Sequence, residues 1–168
     1  MTPSTKAAGG VTWFTGGGAP NAQANEVYND IIALYQELVT QSSGLVNPDD
    51  KLVLVLPNTL MAALTFTNTF NVNVQDLLKK NFPKLRVVQD TLFGAKSTSN
   101  PNGSAAGNLV QLIAEEIEGQ KTGFCAYNAK MRAFAIVKEL SAFKQKFMSG
   151  SWGTVLKMPI GVAQLLGA

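Results

Sequence analysis

An unbroken run of five apolar residues, Leu52–Leu56, ends at Pro57 and constrains this chain more than any other feature of its sequence. Such a run is typical of a strand that is covered on both faces. Proline has no N–H group to donate to a neighbouring strand, so the strand is expected to end there. We predict a central strand over Leu52–Leu56, followed by a short helix that Asn58 or Thr59 caps and that runs through Leu64.

The other elements follow from the spacing of apolar residues. A spacing of three and four predicts a helix from Asn25 to Gln41, with Asn25 as its N-cap and Gly44 as its C-terminal stop. Further along, we predict a helix over 74–81, a strand over 85–89, a loop over 94–108, and strands over 109–114 and 122–128. A strand, two short helices and a second strand together indicate an α/β layer.

Near the C-terminus, two runs with a period of two flank Ser149-Gly150-Ser151. This pattern predicts a β-hairpin over 143–162 with its turn at 149–151. Lysines lie on one face, at Lys144 and Lys146. The apolar residues of the hairpin are Phe143, Phe147, Leu156, Met158 and Ile160. We expect this apolar face to be incompletely covered within one isolated chain.

Residues 1–24 are rich in glycine, alanine and threonine, which indicates an extended or mobile lead-in. Trp13 and Phe14 are unusual in such a segment, because large apolar rings are stable only against a surface. We therefore expect the lead-in to lie along another part of the molecule or along a partner.

The composition indicates a protein that buries surface against partners. Hydrophobic residues make up 46% of the chain and charged residues only 15%, against about a quarter in average soluble domains. Subunit interfaces lose charge at their centres, which favours an association role. A surface built from Asn, Gln, Ser and Thr is the alternative. From Lys121 onwards, seven basic residues accompany one acidic residue, so nucleic acid or an acidic neighbouring subunit are both possible partners.

The residues required for common enzyme chemistry are scarce. With no histidine and only Cys125, the chain cannot form a Ser-His-Asp or Cys-His pair, or a Cys/His zinc site. We interpret Cys125 as a buried small hydrophobe. The segment GAKST, 94–98, fails as a phosphate loop because Ala95 and Asp90 stand where glycines are needed. No catalytic, metal or cofactor-binding residue is predicted.

Membrane and secretion signals are also lacking. The N-terminus has no apolar core of a signal peptide, and no apolar run approaches the roughly 18 residues of a membrane span. We expect no membrane partner.

The order of these elements resembles a known family. The run YNAKMRAFAIVKELSAFKQKFMSGSWGTVLKMPIGVAQLLGA, from Tyr127 to the C-terminus, resembles the end of tailed-bacteriophage major capsid proteins. Upstream, EVYNDIIALYQELVTQSSGLV, KLVLVLPNTLMAAL and the strand after FPKL follow in the order of that family's axial domain. The resemblance covers roughly residues 11–168 and extends to encapsulin compartments, which share the shell-protein fold.

The resemblance implies an α+β fold with a mixed axial-domain sheet, flanking helices and a C-terminal β-hairpin. It divides the chain into the lead-in 1–24, an axial-type domain 25–126 and peripheral-domain strands 127–168. Family members also have an N-terminal arm, an extended loop and a long spine helix before this region. None of these is recognised here, so the chain is expected to correspond to the C-terminal half of such a subunit.

The implied function is structural and not enzymatic. Copies of the subunit would associate as pentamers and hexamers into an icosahedral shell around phage DNA, which they would touch only through non-specific electrostatics. The implied location is the virion, assembled in the cytoplasm of the bacterial host. Candidate subunit contacts are Trp13, Phe14, Phe143, Phe147, Trp152, Leu156, Met158 and Ile160.

Two alternatives stay open from the residues alone. The basic C-terminal third is compatible with a nucleic-acid-binding module. Glu115, Glu116 and Glu118 are compatible with a carboxylate-based or metal-dependent enzyme, although a solvated acidic turn explains them more simply.

Overall fold

A four-stranded mixed sheet organises the chain in the computed structural model, which describes residues 1–16 and 18–168. The elements in chain order are α1 Ala24–Gln41, β1 Leu52–Leu56, a 3-10 helix Asn58–Thr65, α2 Val74–Asn81, β2 Arg86–Gln89, a 3-10 turn Thr91–Phe93, β3 Leu109–Ala114, β4 Glu116–Ile117, β5 Gln120–Lys121, β6 Gly123–Ala133, β7 Val137–Lys138, β8 Phe143–Lys144, β9 Phe147–Leu156, a 3-10 turn Pro159–Gly161 and β10 Val162–Leu166.

Strand β1 lies in the interior of this sheet, whose order is β10-β3-β1-β2. It runs parallel to β2 and antiparallel to β3. All five of its residues are buried, including Val53 and Val55, which are only 7% and 9% exposed. The prediction of a buried central strand is therefore confirmed, and the mixed sheet with its helices confirms the α+β class.

The main core forms between the sheet and its helices. Alternate residues of β1, namely Leu52, Leu54 and Leu56, belong to the same hydrophobic cluster as Ile31 and Leu34 of α1. Helix α1 contacts both β10 and β3, and it also contacts α2. The predicted helical spacing thus gives α1 the apolar face that covers the sheet.

The helix starts differ from the predicted ones by one or two residues. Helix α1 has Gln23, not Asn25, as its N-cap, because the Glu26 carboxylate accepts the Gln23 N–H at 2.7 Å. That bond and a second one from the backbone of Ala7 lower the pKa of Glu26. Likewise, Pro57 precedes the short 3-10 helix in place of the predicted caps Asn58 or Thr59.

The C-terminal end of α1 agrees with its prediction. Gly44 adopts a left-handed φ of 83° beyond the last turn, as a C-terminal stop requires.

The lead-in packs onto α1 through a buried carboxylate. Asp30 accepts hydrogen bonds from Trp13 Nε1 at 2.8 Å and from the Ser4 hydroxyl at 2.7 Å, and it forms an ion pair with Lys6. The side chains of Lys6 and Asp30 are both buried, at 0% and 2% exposure. The expectation that the lead-in lies along a surface is thus met within the chain itself.

The predicted C-terminal hairpin is wrong in its pairing. Strand β9 passes straight through Ser149–Ser151 and pairs with β6, not with a strand after 151. The polypeptide after Leu156 leaves this pairing, makes a 3-10 turn and joins the main sheet as β10, antiparallel to β3. The sheet therefore contains a strand from residues 127–168, the region that the resemblance assigned to peripheral strands.

We predict that Leu54→Ala lowers the free energy of unfolding by about 2–5 kcal/mol, because the substitution leaves a cavity beneath a fully buried leucine. Urea denaturation monitored by circular dichroism measures this change. A loss below about 1 kcal/mol would contradict the central position of β1 in the core.

We also predict that Asp30→Ala lowers the free energy of unfolding by about 3–5 kcal/mol, because it leaves the Lys6 ammonium buried without its carboxylate. Glu37→Ala, on the exposed side of the same helix, is the matched control and should change stability by less than about 0.5 kcal/mol. Equal effects of the two substitutions in thermal unfolding would argue against the buried pair.

Candidate subunit interface

A two-stranded ribbon leaves the sheet domain at residue 123 and returns at residue 156. Strands β6 and β9 pair from Gly123 opposite Leu156 to Ala133 opposite Phe147. Beyond them β7 pairs with β8, and the turn closes where the Glu139 N–H donates to the Ala142 carbonyl at 2.8 Å. We call residues 123–156 the ribbon and the rest of the chain the body. At about 3.3 Å per residue, the ribbon reaches up to about 50 Å from its root to its tip.

The root of the ribbon is fixed at Thr122. This buried residue donates its hydroxyl to the Ala114 carbonyl at the end of β3. Its own carbonyl accepts the N–H groups of Lys157 and Met158, at 2.9 and 3.1 Å. A Cβ on Gly161 would lie 2.8 Å from the Thr122 hydroxyl oxygen, so the closing turn needs glycine there. Both ends of the ribbon are therefore held by one residue of the body.

Irregular pairing explains why the sequence pattern misled the hairpin prediction. The register of β6 against β9 shifts three times between Ala126 and Arg132. Opposite this stretch lie Gly150 and Gly153, and Gly153 has a φ of 88°. Small residues and glycine are typical of β-bulges as well as of turns. The Ser-Gly-Ser segment accommodates bulges in a continuing strand rather than a reversal of the chain.

Large apolar side chains of the ribbon are exposed in the part of the chain that the structure describes. Trp152 is 77% exposed, and Leu140 at the tip is fully exposed. The exposed apolar residues of the ribbon are Phe124, Tyr127, Met131, Phe134, Ile136, Val137, Leu140, Phe143, Phe147, Met148, Trp152, Val155 and Leu156. A two-stranded ribbon is at best marginally stable alone in water, and apolar patches of this extent mark interaction surfaces.

The predicted contact residues differ in exposure: five are exposed, two are half-buried and one is buried. Phe143, Phe147, Trp152 and Leu156 are exposed on the ribbon, and Ile160 is exposed beside its root. Met158 is half-buried against the core, and Phe14 packs against Phe66 with their ring centroids 5.4 Å apart.

Trp13 is the exception among the predicted subunit contacts, because its side chain is buried inside its own chain. It is 0% exposed and donates to Asp30. The surface expected to cover the indole ring is therefore helix α1 of the same chain.

Sequence reasoning missed several ribbon residues, of which Met131, Ile136 and Leu140 are among the most exposed. One signal was available: Ala129, Met131 and Ala133 alternate with Lys130 and Arg132. This period of two extends the predicted strand 122–128 outwards as the long strand β6.

The ribbon is positively charged. It carries five basic residues and one acidic residue, which are Lys130, Arg132, Lys138, Lys144, Lys146 and Glu139. One ion pair, Lys144 to Glu139 at 2.8 Å, is exposed and therefore contributes little stability. A partner surface with few cations suits this ribbon better than a second ribbon does, because like charges repel.

The three acidic residues considered for catalysis lie in ion pairs or in a turn. Glu115 binds Arg86 at 2.9 Å, Glu116 lies 3.9 Å from Lys51, and Glu118 occupies the turn between β4 and β5 with a φ of 49°. Within residues 1–16 and 18–168, no three His, Cys, Asp or Glu side chains are grouped so that they could hold a metal ion. In the structure, Glu115 and Glu116 thus form exposed ion pairs and Glu118 lies in a turn.

Cys125 contradicts its predicted burial. It is exposed on β6, and its sulfur lies 3.9 Å from the Thr154 hydroxyl across the ribbon. The apolar run GFCAY therefore belongs to a projecting strand and not to the core.

None of the helices that the structure describes is long and apolar enough to cross a membrane.

Comparisons with known proteins identify the relatives of this chain. The family model of the Pa193 gp26 major capsid protein matches residues 1–167. Three solved structures have a similar fold over 98–99% of this chain: the capsid of Myoviridae phage XM1 (TM-score 0.66, 12% identity), a phage-related protein of Bordetella bronchiseptica RB50 (0.59, 14%) and a virus-like particle from Pyrococcus furiosus (0.56, 13%). No curated protein matches the sequence significantly.

The chain spans about half the length of these structures, namely 51%, 58% and 56% of the respective chains. The resemblance to phage capsid proteins and encapsulin-like particles, with its α+β capsid-type fold, is thereby confirmed.

Limited digestion with trypsin should cleave the isolated chain first within the ribbon, because the ribbon has few contacts that resist local opening. Mass spectrometry of early fragments identifies the sites, expected among Lys130, Arg132, Lys138, Lys144 and Lys146. Lys79 and Lys80, exposed on α2, are internal controls that should be cut later. Earlier cleavage at those two lysines would show that the ribbon is stable by itself.

Proposed function

Because the chain belongs to the Pa193 gp26 major capsid protein family, we propose that it is a structural subunit of a bacteriophage capsid that associates with copies of itself through the ribbon. The observation that carries this proposal is the exposed apolar surface of residues 123–156. The body encloses its own core, whereas the ribbon has no core to join. Association removes this apolar surface from water, which is the dominant favourable term in protein assembly.

The assembly that we propose is an icosahedral shell of pentamers and hexamers that encloses DNA. The chain would be part of the virion and would assemble in the cytoplasm of the bacterial host. The low charged fraction of 15% supports repeated contacts between copies. The basic ribbon residues offer non-specific attraction to packaged DNA.

The proposed role needs no catalysis. The family is one of structural capsid proteins. The chain has no histidine, and the carboxylates Glu115 and Glu116 face basic partners in ion pairs. We propose no enzymatic activity and no cofactor.

We further propose that the chain acts as two units, the body and the ribbon. The body corresponds to the predicted axial-type domain with the lead-in and the last strand added, because β10 completes the main sheet. The ribbon corresponds to most of the predicted peripheral strands.

The test compares assembly with folding. Leu156→Asp places a charge on the exposed apolar ribbon, so we expect smaller assemblies in sedimentation velocity and electron microscopy at unchanged protein concentration. Because Leu156 is half exposed in the chain, the free energy of unfolding should change by less than about 1 kcal/mol. Trp152→Ala should act in the same direction.

Gln75→Asp, on the exposed side of α2, is the matched control and should leave assembly unaltered. Assemblies of the same size with Leu156→Asp and Trp152→Ala as with the original chain would refute the ribbon as the interface. A chain that remains monomeric at high concentration would refute self-association altogether.

A further inference from the structure

A phenylalanine far from the ribbon in sequence is almost fully exposed. Phe70, 83% exposed, lies at the tip of the loop that joins the first 3-10 helix to α2. Exposure of so large a ring is unfavourable in water. Single exposed apolar residues are common on protein surfaces. The conformation and surroundings of Phe70 therefore decide whether its exposure indicates a binding role.

The loop holds Phe70 in a defined position. The Asn68 carboxamide oxygen accepts the N–H groups of Phe70 and Val72, at 2.9 and 3.1 Å. The Asn68 N–H also donates to the Val72 carbonyl at 3.0 Å, and Asn71 adopts a left-handed φ of 56°. An exposed ring on a preorganised loop loses little conformational entropy when it binds, as interface anchors do.

The base of the loop is tied to the core on both sides. Before the loop, Phe66 packs against Phe14 with 5.4 Å between ring centroids. After it, Asn73 caps α2 by accepting the Asp76 N–H at 2.7 Å, and Val74 is fully buried. The position of Phe70 is therefore fixed relative to the body.

A groove that is lined by uncharged residues lies next to this loop. Its volume is about 460 Å³, and its walls are Pro20 with residues 22–25 from the start of α1 and residues 65–69 from the loop itself. None of these residues is charged, in a chain with a net charge of +3. Two copies can thus meet at this patch without the repulsion that the basic ribbon would cause.

We propose that Phe70 of one copy binds in the groove of a second copy. This inference rests on the proposed self-association and names a second contact besides the ribbon. The ring supplies an aromatic anchor of the kind that dominates interface energies, and the groove supplies an uncharged, partly apolar pocket on the identical partner. Anchor and groove lie side by side on the same surface, so every copy can give one contact and receive one.

The first experiment measures the association constant of the 168-residue chain by sedimentation equilibrium. Phe70→Ala should weaken association at least about tenfold, with an unchanged thermal unfolding midpoint, because the ring contacts little of its own chain. Leu92→Ala removes an apolar side chain of 53% exposure outside the patch and is the matched control, for which no weakening is expected.

The second experiment tests the pairing itself by disulfide formation. In a Cys125→Ser background, a chain with Phe70→Cys is mixed with a chain with Asn25→Cys, which lines the groove. Mild oxidation should join the two different chains. A mixture of Leu92→Cys with Asn25→Cys serves as the control and should remain unlinked.

The outcomes separate the two proposals. Assemblies that form with full affinity despite Phe70→Ala, together with no more disulfide-linked product from the Phe70→Cys and Asn25→Cys mixture than from the control mixture, would overturn the Phe70 contact and leave the capsid role intact. A chain that never associates would overturn self-association, and the Phe70 contact with it.

Discussion

The burial of alternate β1 leucines in one core with α1 is the interaction on which the rest of the molecule depends. Leu52, Leu54 and Leu56 lie at no more than 1% exposure, in the same cluster as the apolar face of α1. On either side of β1, β2 and β3 complete hydrogen bonds that a lone strand would leave unpaired. The body therefore has a core of its own, whereas the large apolar side chains of the ribbon are exposed.

The lead-in shows how one buried charge orders a segment of low complexity. Asp30 projects from α1 and gathers donors from Ser4, Lys6 and Trp13. A buried carboxylate is costly unless it is paired and hydrogen-bonded, so its partners are held closely. These bonds, together with the one from the Ala7 N–H to Glu26, hold this part of the Gly/Ala/Thr-rich lead-in against α1.

The contrast between body and ribbon explains the functional conclusion. The body encloses its core, while the ribbon presents a row of aromatic and aliphatic side chains rooted at Thr122. An exposed apolar surface of this extent marks an interaction site, and the proposed subunit role uses its burial as binding energy. The family match and the fold of phage capsid proteins agree with this physical interpretation.

The sequence by itself determined the elements whose signals are local. The apolar run of β1, the helical spacing of α1 and the loop composition around 94–108 each depend on neighbouring residues, and these elements lie within a residue or two of their predicted bounds. Only the tertiary structure decided the pairing of Gly123 with Leu156, the return of β10 to the main sheet, the burial of Trp13 and the exposure of Cys125. The physical reason is that glycine and serine suit a bulge as well as a turn, and an apolar residue suits a core as well as an interface. Which of these is realised depends on contacts between residues far apart in the chain, and no local pattern specifies them.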